Sequence, residues 1–181
     1  MRLVAAVLLS PSLAVVAPTT APPPPIWNPK APENRQIVPA YSVAALAPVL
    51  NSIGARAQRP ADAAQGQALL VTFRNGRTAL LALSSCEAPD RCKALNIQSF
   101  WAKSAKATPE QTAQAIEKFN QRYAFAKAFA TPDGRASLQR YLTADFGFIR
   151  GDLAVNLLVF SEQAERLAVE FLEPLEKAAA K

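Results

Sequence analysis

The chain has 181 residues, a formal charge of +6 and no histidine. Half of its residues are hydrophobic, which predicts a packed domain rather than a disordered chain. The absence of histidine excludes Ser-His-Asp and Cys-His catalytic devices built from this chain alone, and two cysteines with carboxylates make a poor zinc site.

We therefore expect a protein without a metal or a cofactor. The basic residues are spread along the chain, with no run of three. Because nucleic-acid-binding proteins concentrate such residues on one face or helix, we expect no nucleic-acid partner.

The N-terminus has the pattern of a secretory signal peptide. Arg2 precedes an apolar run that is interrupted at residues 10–12 and resumes up to residue 17. The stretch is shorter than the ~20 residues of a membrane span. We predict a signal peptide at residues 1–17 (or up to 21), a periplasmic or secreted protein, and no membrane insertion after cleavage. Both cuts would leave proline at the new N-terminus, so retention as an anchor is the alternative.

Prolines dominate the next segment, residues 18–40, which contains eight of them. Such a tract favours extended polyproline II and does not join helices or sheet interiors. We predict a spacer here, between the membrane and a folded domain at residues 41–176. Its one aromatic residue, Trp27, docks in a partner's groove, lies against the domain or is disordered.

The domain is predicted to begin with a helix and a β-hairpin. The apolar residues that follow the N-cap Ser42 fall on one helical face: Val43, Leu46, Leu50 and Ile53. Asn75-Gly76 then separates two short apolar runs and is a strong signal for a type I′ hairpin turn. A third antiparallel strand is predicted at residues 92–101.

The two cysteines, Cys86 and Cys92, are separated by five residues, which does not fit a C-x-x-C redox motif. Outside the cytoplasm, paired cysteines persist as disulfides. We predict a structural cystine that closes the polar loop at residues 87–91 between two strands. A redox-active pair, or free thiols in a cytoplasmic chain, are the alternatives.

A second helix is predicted to begin at a capping box, with Thr108 as N-cap, Pro109 at the first position and Gln111 completing the box. It should end near Tyr123, where the hydrophobic period changes to two. In the strand that follows, four alanines should face one side, and the other side should carry Tyr123, Phe125, Lys127 and Phe129.

A turn at residues 131–134 and a strand at residues 135–143 precede the last helix. This long amphipathic helix is predicted to end near Pro174, and its apolar positions are Leu153, Leu157, Phe160, Ala164, Leu167 and Phe171. The order helix, three or four strands, helix, two strands, helix predicts an α+β domain, a two-layer antiparallel sheet with helices on one side.

The segment IEKFNQRYAFAKAFATPDG, residues 116–134, resembles the signature of the YbjN family, bacterial proteins described as sensory transduction regulators. The residues that carry the resemblance are Ile116, Phe119-Asn120, Phe125, Lys127-Ala128-Phe129 and Asp133-Gly134. The cysteine pair, with Leu95 and Gln98 after it, is similar to that of exported members of this family.

The resemblance covers about residues 41–175. It implies a fold like that of class I type III secretion chaperones, which bind partner peptides and often dimerise. It provides no catalytic residues. The chain departs from the family in its basic charge and in having phenylalanine at positions 119, 160 and 171 rather than the family's usual tryptophans.

These observations predict a non-enzymatic binding or regulatory module outside the cytoplasm, with a protein or peptide partner and the option of a homodimer. The partner would add to an open sheet edge or bind a face formed by Phe125, Lys127 and Phe129, although ordinary core packing is the alternative for the two phenylalanines. An envelope-anchored structural protein is a second hypothesis. A hydrolase that uses carboxylates such as Asp145 and Asp152 is the third.

Overall fold

Six antiparallel strands form the central sheet in the order β2-β3-β4-β5-β7-β6, and β1 pairs separately with β8. This computed structural model describes residues 27–60 and 67–178, so the predicted signal peptide lies outside the described residues. The strands are β1 (Ile37–Val38), β2 (Arg56–Gln58), β3 (Ala68–Thr72), β4 (Thr78–Ala88), β5 (Arg91–Phe100), β6 (Lys127–Ala130), β7 (Ala136–Thr143) and β8 (Phe148–Ile149).

Helices cover one side of this sheet, which confirms the α+β arrangement. They are α1 (Val43–Ser52), α2 (Pro109–Arg122), α3 (Arg150–Arg166), which continues through a π-helical stretch (Leu167–Leu172), and α4 (Glu173–Ala178). Their apolar faces meet alternate residues of the strands in one core. Its fully buried members include Leu46, Leu81, Ile97, Phe119, Leu138, Leu157 and Phe160. The burial of these side chains excludes water from the helix side of the sheet.

The two predicted helix starts are confirmed. Ser42 Oγ accepts a hydrogen bond from the Ala45 N–H, 3.0 Å away. At α2, Thr108 Oγ1 accepts from the Gln111 N–H, and the Gln111 side chain accepts from the Thr108 N–H in return. Both devices satisfy backbone donors that have no partner inside the helix.

The two cysteines form the predicted disulfide, but the residues between them form a paired hairpin rather than a polar loop. Strand β4 extends to Ala88, so Cys86 and Cys92 lie directly opposite each other on paired strands. The backbone N–H and C=O of Cys92 point away from β4 and bond to Tyr41 at 2.9 Å each. The cystine therefore occupies a non-hydrogen-bonded cross-strand position, where opposite side chains approach most closely.

Residues 27–40 are not a spacer, which corrects the predicted linker boundary. Trp27 packs against the core, β1 pairs with β8, and the Tyr41 ring stacks on Phe148 with centroids 4.7 Å apart. The Arg150 N–H at the start of α3 donates to the Gln36 carbonyl at 3.0 Å. The folded unit therefore includes this N-terminal arm, defined as residues 27–41, and begins before residue 41.

Close contact between the arm and the β8 turn requires glycine at position 147. Gly147 has φ +87°, and a Cβ there would lie 2.6 Å from the Val38 carbonyl oxygen. A side chain would therefore add backbone strain and a steric clash at the same point.

The outer strand β6 begins at Lys127, four residues later than the predicted strand start at Tyr123. Side chains from other elements form hydrogen bonds with the backbone groups of the two residues before β6, Phe125 and Ala126. Gln163 Oε1 accepts from the Ala126 N–H at 3.1 Å, and the Arg140 guanidinium donates to the Phe125 carbonyl. These two bonds replace the strand pairing that the alternating sequence predicts.

Asn120 occupies the outer edge of β6. Its side-chain Nδ2 donates to the Ala128 carbonyl at 2.9 Å, and its Oδ1 accepts from the Ala128 N–H at 2.9 Å. A single carboxamide thus satisfies the two edge groups that a further strand would need. An exposed strand edge favours uncontrolled pairing, so this contact closes the edge to another chain.

The last helix continues past Pro174 to Ala178, and the prediction that it ends near this proline is wrong. The π-helical stretch explains the difference, because the Glu173 N–H bonds to the Ala168 carbonyl, five residues back. Pro174 then lies in the first turn of α4, where a missing N–H is tolerated.

The contact at Gly147 predicts a larger stability loss for Gly147→Ala than for a matched glycine. We expect the free energy of unfolding to fall by about 2–4 kcal/mol in urea titrations, from strain plus clash. The control Gly76→Ala has a similar φ of +83° but open space around its Cβ, and should lose about 1–2 kcal/mol. Equal losses would show that the arm does not require glycine at this position.

The edge contact predicts that Asn120→Ala lowers the free energy of unfolding by about 2 kcal/mol, because both backbone groups of Ala128 lose their partner. The neighbouring control Gln121→Ala removes only an exposed bond to Glu117 and should cost about 0.5 kcal/mol or less. Light scattering at increasing concentration should also detect self-association of Asn120→Ala alone. A variant as stable and monomeric as the wild type would contradict edge closure.

Candidate functional site

The side of the six-stranded sheet opposite the helices is a candidate binding surface. Strand register aligns its residues in rows across the strands, such as Phe100–Ser137–Phe129 and Gln98–Gln139–Lys127. We call this surface the open face and define it by Leu70, Leu80, Ala82, Asn96, Gln98, Phe100, Lys127, Phe129, Ser137, Gln139 and Tyr141. None of these residues is acidic.

A chain of side-chain hydrogen bonds runs across the centre of the open face. Gln139 Nε2 donates to Asn96 Oδ1 at 2.8 Å, Asn96 Nδ2 to Gln98 Oε1 at 3.4 Å, and Gln98 Nε2 to Ser137 Oγ at 2.9 Å. Ser137 Oγ donates in turn to the Ser99 carbonyl at 3.0 Å. These bonds use one of the two N–H donors of each carboxamide, so the second donor of each remains for a hydrogen bond to a partner.

Aromatic side chains flank this polar centre. Tyr141 is 56% exposed and Phe100 is 43% exposed, while Phe129 is half-buried beside Ser137. The Arg135 guanidinium lies 5.3 Å from the Phe100 ring centroid and pairs with Asp133 at 2.7 Å. Exposed aromatic rings next to hydrogen-bonding amides are the composition that protein-binding surfaces favour.

Lys127 supplies the positive charge of the open face. Its side chain is exposed on the outer strand β6, and it forms no ion pair with any residue that the structure describes. Its ammonium group is therefore available to an acidic group of a partner. The predicted role of Lys127 at a binding surface is compatible with this geometry and stays a prediction.

The structure separates the three residues that the sequence places on one face. Phe125 lies before β6, and the Arg140 guanidinium stacks on its ring at 3.9 Å. The cross-strand neighbour of Arg140 is the fully buried Ile97, so Phe125 packs on the helix side of the sheet. Only Lys127 and Phe129 remain on the open face.

Sequence reasoning missed Phe100 and Tyr141 as surface aromatic residues. The signal was present in the alternation of their strands, because Phe100 shares its parity with Asn96 and Gln98, and Tyr141 with Gln139. Without the strand register, neither residue could be assigned to the same surface as Phe129.

Three glutamates of the last helix are held in ion pairs with arginines. Glu162 and Glu170 pair with Arg166, and Glu165 pairs with Arg77. The bond from Arg77 lowers the pKa of the Glu165 carboxyl, whereas a general acid needs a raised pKa. These carboxylates belong to surface ion pairs.

Within residues 27–60 and 67–178, no group of three His, Cys, Asp or Glu side chains could hold a metal ion. No helix in the same ranges is long and apolar enough to cross a bilayer.

The signature segment, residues 116–134, forms the end of α2, the outer strand β6 and the connection between them. Phe119 is fully buried and meets Phe171 edge-on at 5.6 Å, Asn120 closes the edge, and Ala128 lies in the core. These residues fix one border of the open face.

Comparison with known proteins agrees with this arrangement. The model of the YbjN family, described as "Putative bacterial sensory transduction regulator", matches residues 42–173. A solved structure with the same fold is "Crystal structure of YbjN, a putative transcription regulator from E. coli", with a TM-score of 0.56 and 16% identity over 75% of this chain and 93% of that one. No curated protein matches the chain. Because the family model spans most of the domain, including the α2–β6 connection, this chain belongs to the YbjN family.

Proposed function

We propose that the protein is a non-enzymatic regulatory module of the bacterial envelope that binds an extended, acidic segment of a partner protein on its open face. The observation that carries this proposal is the combination of exposed Phe100 and Tyr141 with Lys127, which has no ion-pair partner among residues 27–60 and 67–178, on an open face without acidic residues. The description of the family as a regulator supports the general role.

Binding on the face agrees better with the geometry than addition of a strand to the sheet edge. At β6 the edge is closed by Asn120 and Gln163. At the other end, β2 has only three residues, which is too short for stable pairing with a peptide. A partner segment that crosses the strands can instead use the aromatic rings as anchors and the amides for orientation.

The chemistry of the open face favours an acidic partner. Lys127 would pair with a carboxylate, whereas Arg135, which lies over Phe100, is already paired with Asp133. The partner's apolar side chains would cover Phe100 and Tyr141, which gives most of the affinity. Charge complementarity would mainly set the orientation and the association rate.

An oxidising compartment is the second part of the proposal. Cross-strand Cys86 and Cys92 form a disulfide, and disulfides persist outside the cytoplasm. The signal-peptide pattern at residues 1–17 supports export. Retention of this segment as an anchor, in an envelope-anchored structural protein, is the competing hypothesis.

The binding site can be tested by photo-crosslinking in living cells. We expect p-benzoylphenylalanine at position 141 to capture a partner, and the same group at position 117, which is exposed on α2, to capture none. Lys127→Glu should reduce the adduct at position 141 at least fivefold, by repulsion of an acidic partner. Equal adducts at both positions, or no effect of Lys127→Glu, would reject binding on the open face. Adducts formed only between two copies would identify a homodimer instead.

The compartment can be tested by thiol alkylation of protein from fractionated cells. We expect the periplasmic fraction to hold the protein, with neither cysteine alkylated until a reductant is added. Intact mass of the same material shows whether residues 1–17 are retained. Protein in the cytosol with both thiols alkylated would reject the envelope location, whatever the outcome of the crosslinking experiment.

A further inference from the structure

A second surface lies where the N-terminal arm meets α3, away from the open face. Two adjoining cavities of about 370 Å³ and about 360 Å³ meet there and share Ile149 and Asp152 in their walls. The first is lined by the rings of Tyr41, Phe146 and Phe148, and the second by Trp27. We call the two cavities together the arm groove.

Large apolar side chains are exposed along the arm groove. Phe146 is fully exposed, Ile37 is 68% exposed, and Ile149 and Val155 are 41% and 47% exposed. Exposed apolar residues are ordinary when they are isolated, but a group of four around one groove indicates an occupant that covers them.

The arm groove also contains one hydrogen-bond donor suited to a carbonyl group. Tyr41 lines the first cavity and is almost fully buried, and no residue within the described ranges accepts a hydrogen bond from its hydroxyl. Burial raises the pKa of Tyr41 to about 12, so the hydroxyl keeps its proton at physiological pH. Aromatic rings with a nearby donor are the features that bind polyproline II segments.

The sequence supplies such a segment directly before the arm. The four consecutive prolines Pro22–Pro25 are separated from Trp27 by one residue, and Trp27 lines the second cavity. From Trp27 back to Pro22, an extended polyproline chain spans ~15 Å at ~3.1 Å per residue. Residues 18–26 carry no charge, which suits contact with the rings and aliphatic groups in the groove wall.

We propose that Pro22–Pro25 of the same chain bind in the arm groove, with proline rings on Phe146 and Ile149 and a backbone carbonyl that accepts from the Tyr41 hydroxyl. A polyproline segment is already extended before it binds, so it loses little conformational entropy on docking. Docking of the tract would bury the exposed side chains of Phe146 and Ile149.

Photo-crosslinking tests this assignment on the full chain. We place p-benzoylphenylalanine at position 146 in the purified protein and identify the crosslinked peptides by mass spectrometry. We expect crosslinks to residues 18–26, and none to this segment from the control position 117 on α2. Crosslinks confined to other residues would overturn the proposal.

An equal mixture of ¹⁴N- and ¹⁵N-labelled protein distinguishes one chain from two. Crosslinks within single-label species support binding of the chain's own tract. Crosslinks in mixed-label species would show that the tract of a second copy fills the groove, which overturns the intrachain proposal.

Hydrogen exchange provides a measurement that does not depend on the crosslinker. Replacement of Pro22, Pro23, Pro24 and Pro25 by serine should accelerate exchange at least fivefold at residues 146–149 and leave β4 unchanged. Tyr41→Phe should give part of this effect, because the ring stays and only the donor is lost. Unchanged exchange in the serine variant would overturn the proposal.

Discussion

The two hydrogen bonds between the Asn120 carboxamide and the backbone of Ala128 determine where the central sheet ends and which of its surfaces a partner can reach. They limit the sheet at β6, because the outward N–H and C=O of Ala128 already have partners. They also join α2 to the sheet directly after the buried Phe119, so the helix layer and the sheet end together. With the edge closed, the open face is the part of the sheet left for a partner.

Local signals in the sequence predicted the elements that depend on neighbouring residues. The capping box at Thr108, the N-cap at Ser42 and the β3–β4 hairpin at Asn75-Gly76 each depend on residues within four positions of one another, and the structure has all three. The turn itself is not type I′, because Gly76 has a positive φ of 83° but Asn75 does not. The predicted start of β6 is wrong because the true start depends on Gln163 and Arg140. These side chains are 37 and 15 residues away from the backbone groups they bind. Composition and period contain no information about such distant bonds.

In the candidate site, too, the sequence predicted the positions that depend on neighbouring residues and missed those that depend on distant contacts. Periodicity placed Lys127 and Phe129 together, but it misplaced Phe125, whose orientation is set by the guanidinium of Arg140. The prolines of residues 18–40 predicted a spacer, yet the second half of that stretch packs on the domain. This packing requires the absence of a side chain at Gly147, more than a hundred residues later in the chain, and no pattern near the prolines reveals it.

The cross-strand cystine has a mechanical consequence. A pull on the N-terminal arm passes through Tyr41 into Cys92, because two backbone bonds join these residues. At Cys92 the load divides between the hydrogen bonds of β5 and a covalent link to Cys86 on β4. A force applied to the N-terminal arm is therefore shared by β4 and β5 rather than acting on β5 alone. The domain should resist mechanical unfolding from its N-terminal end.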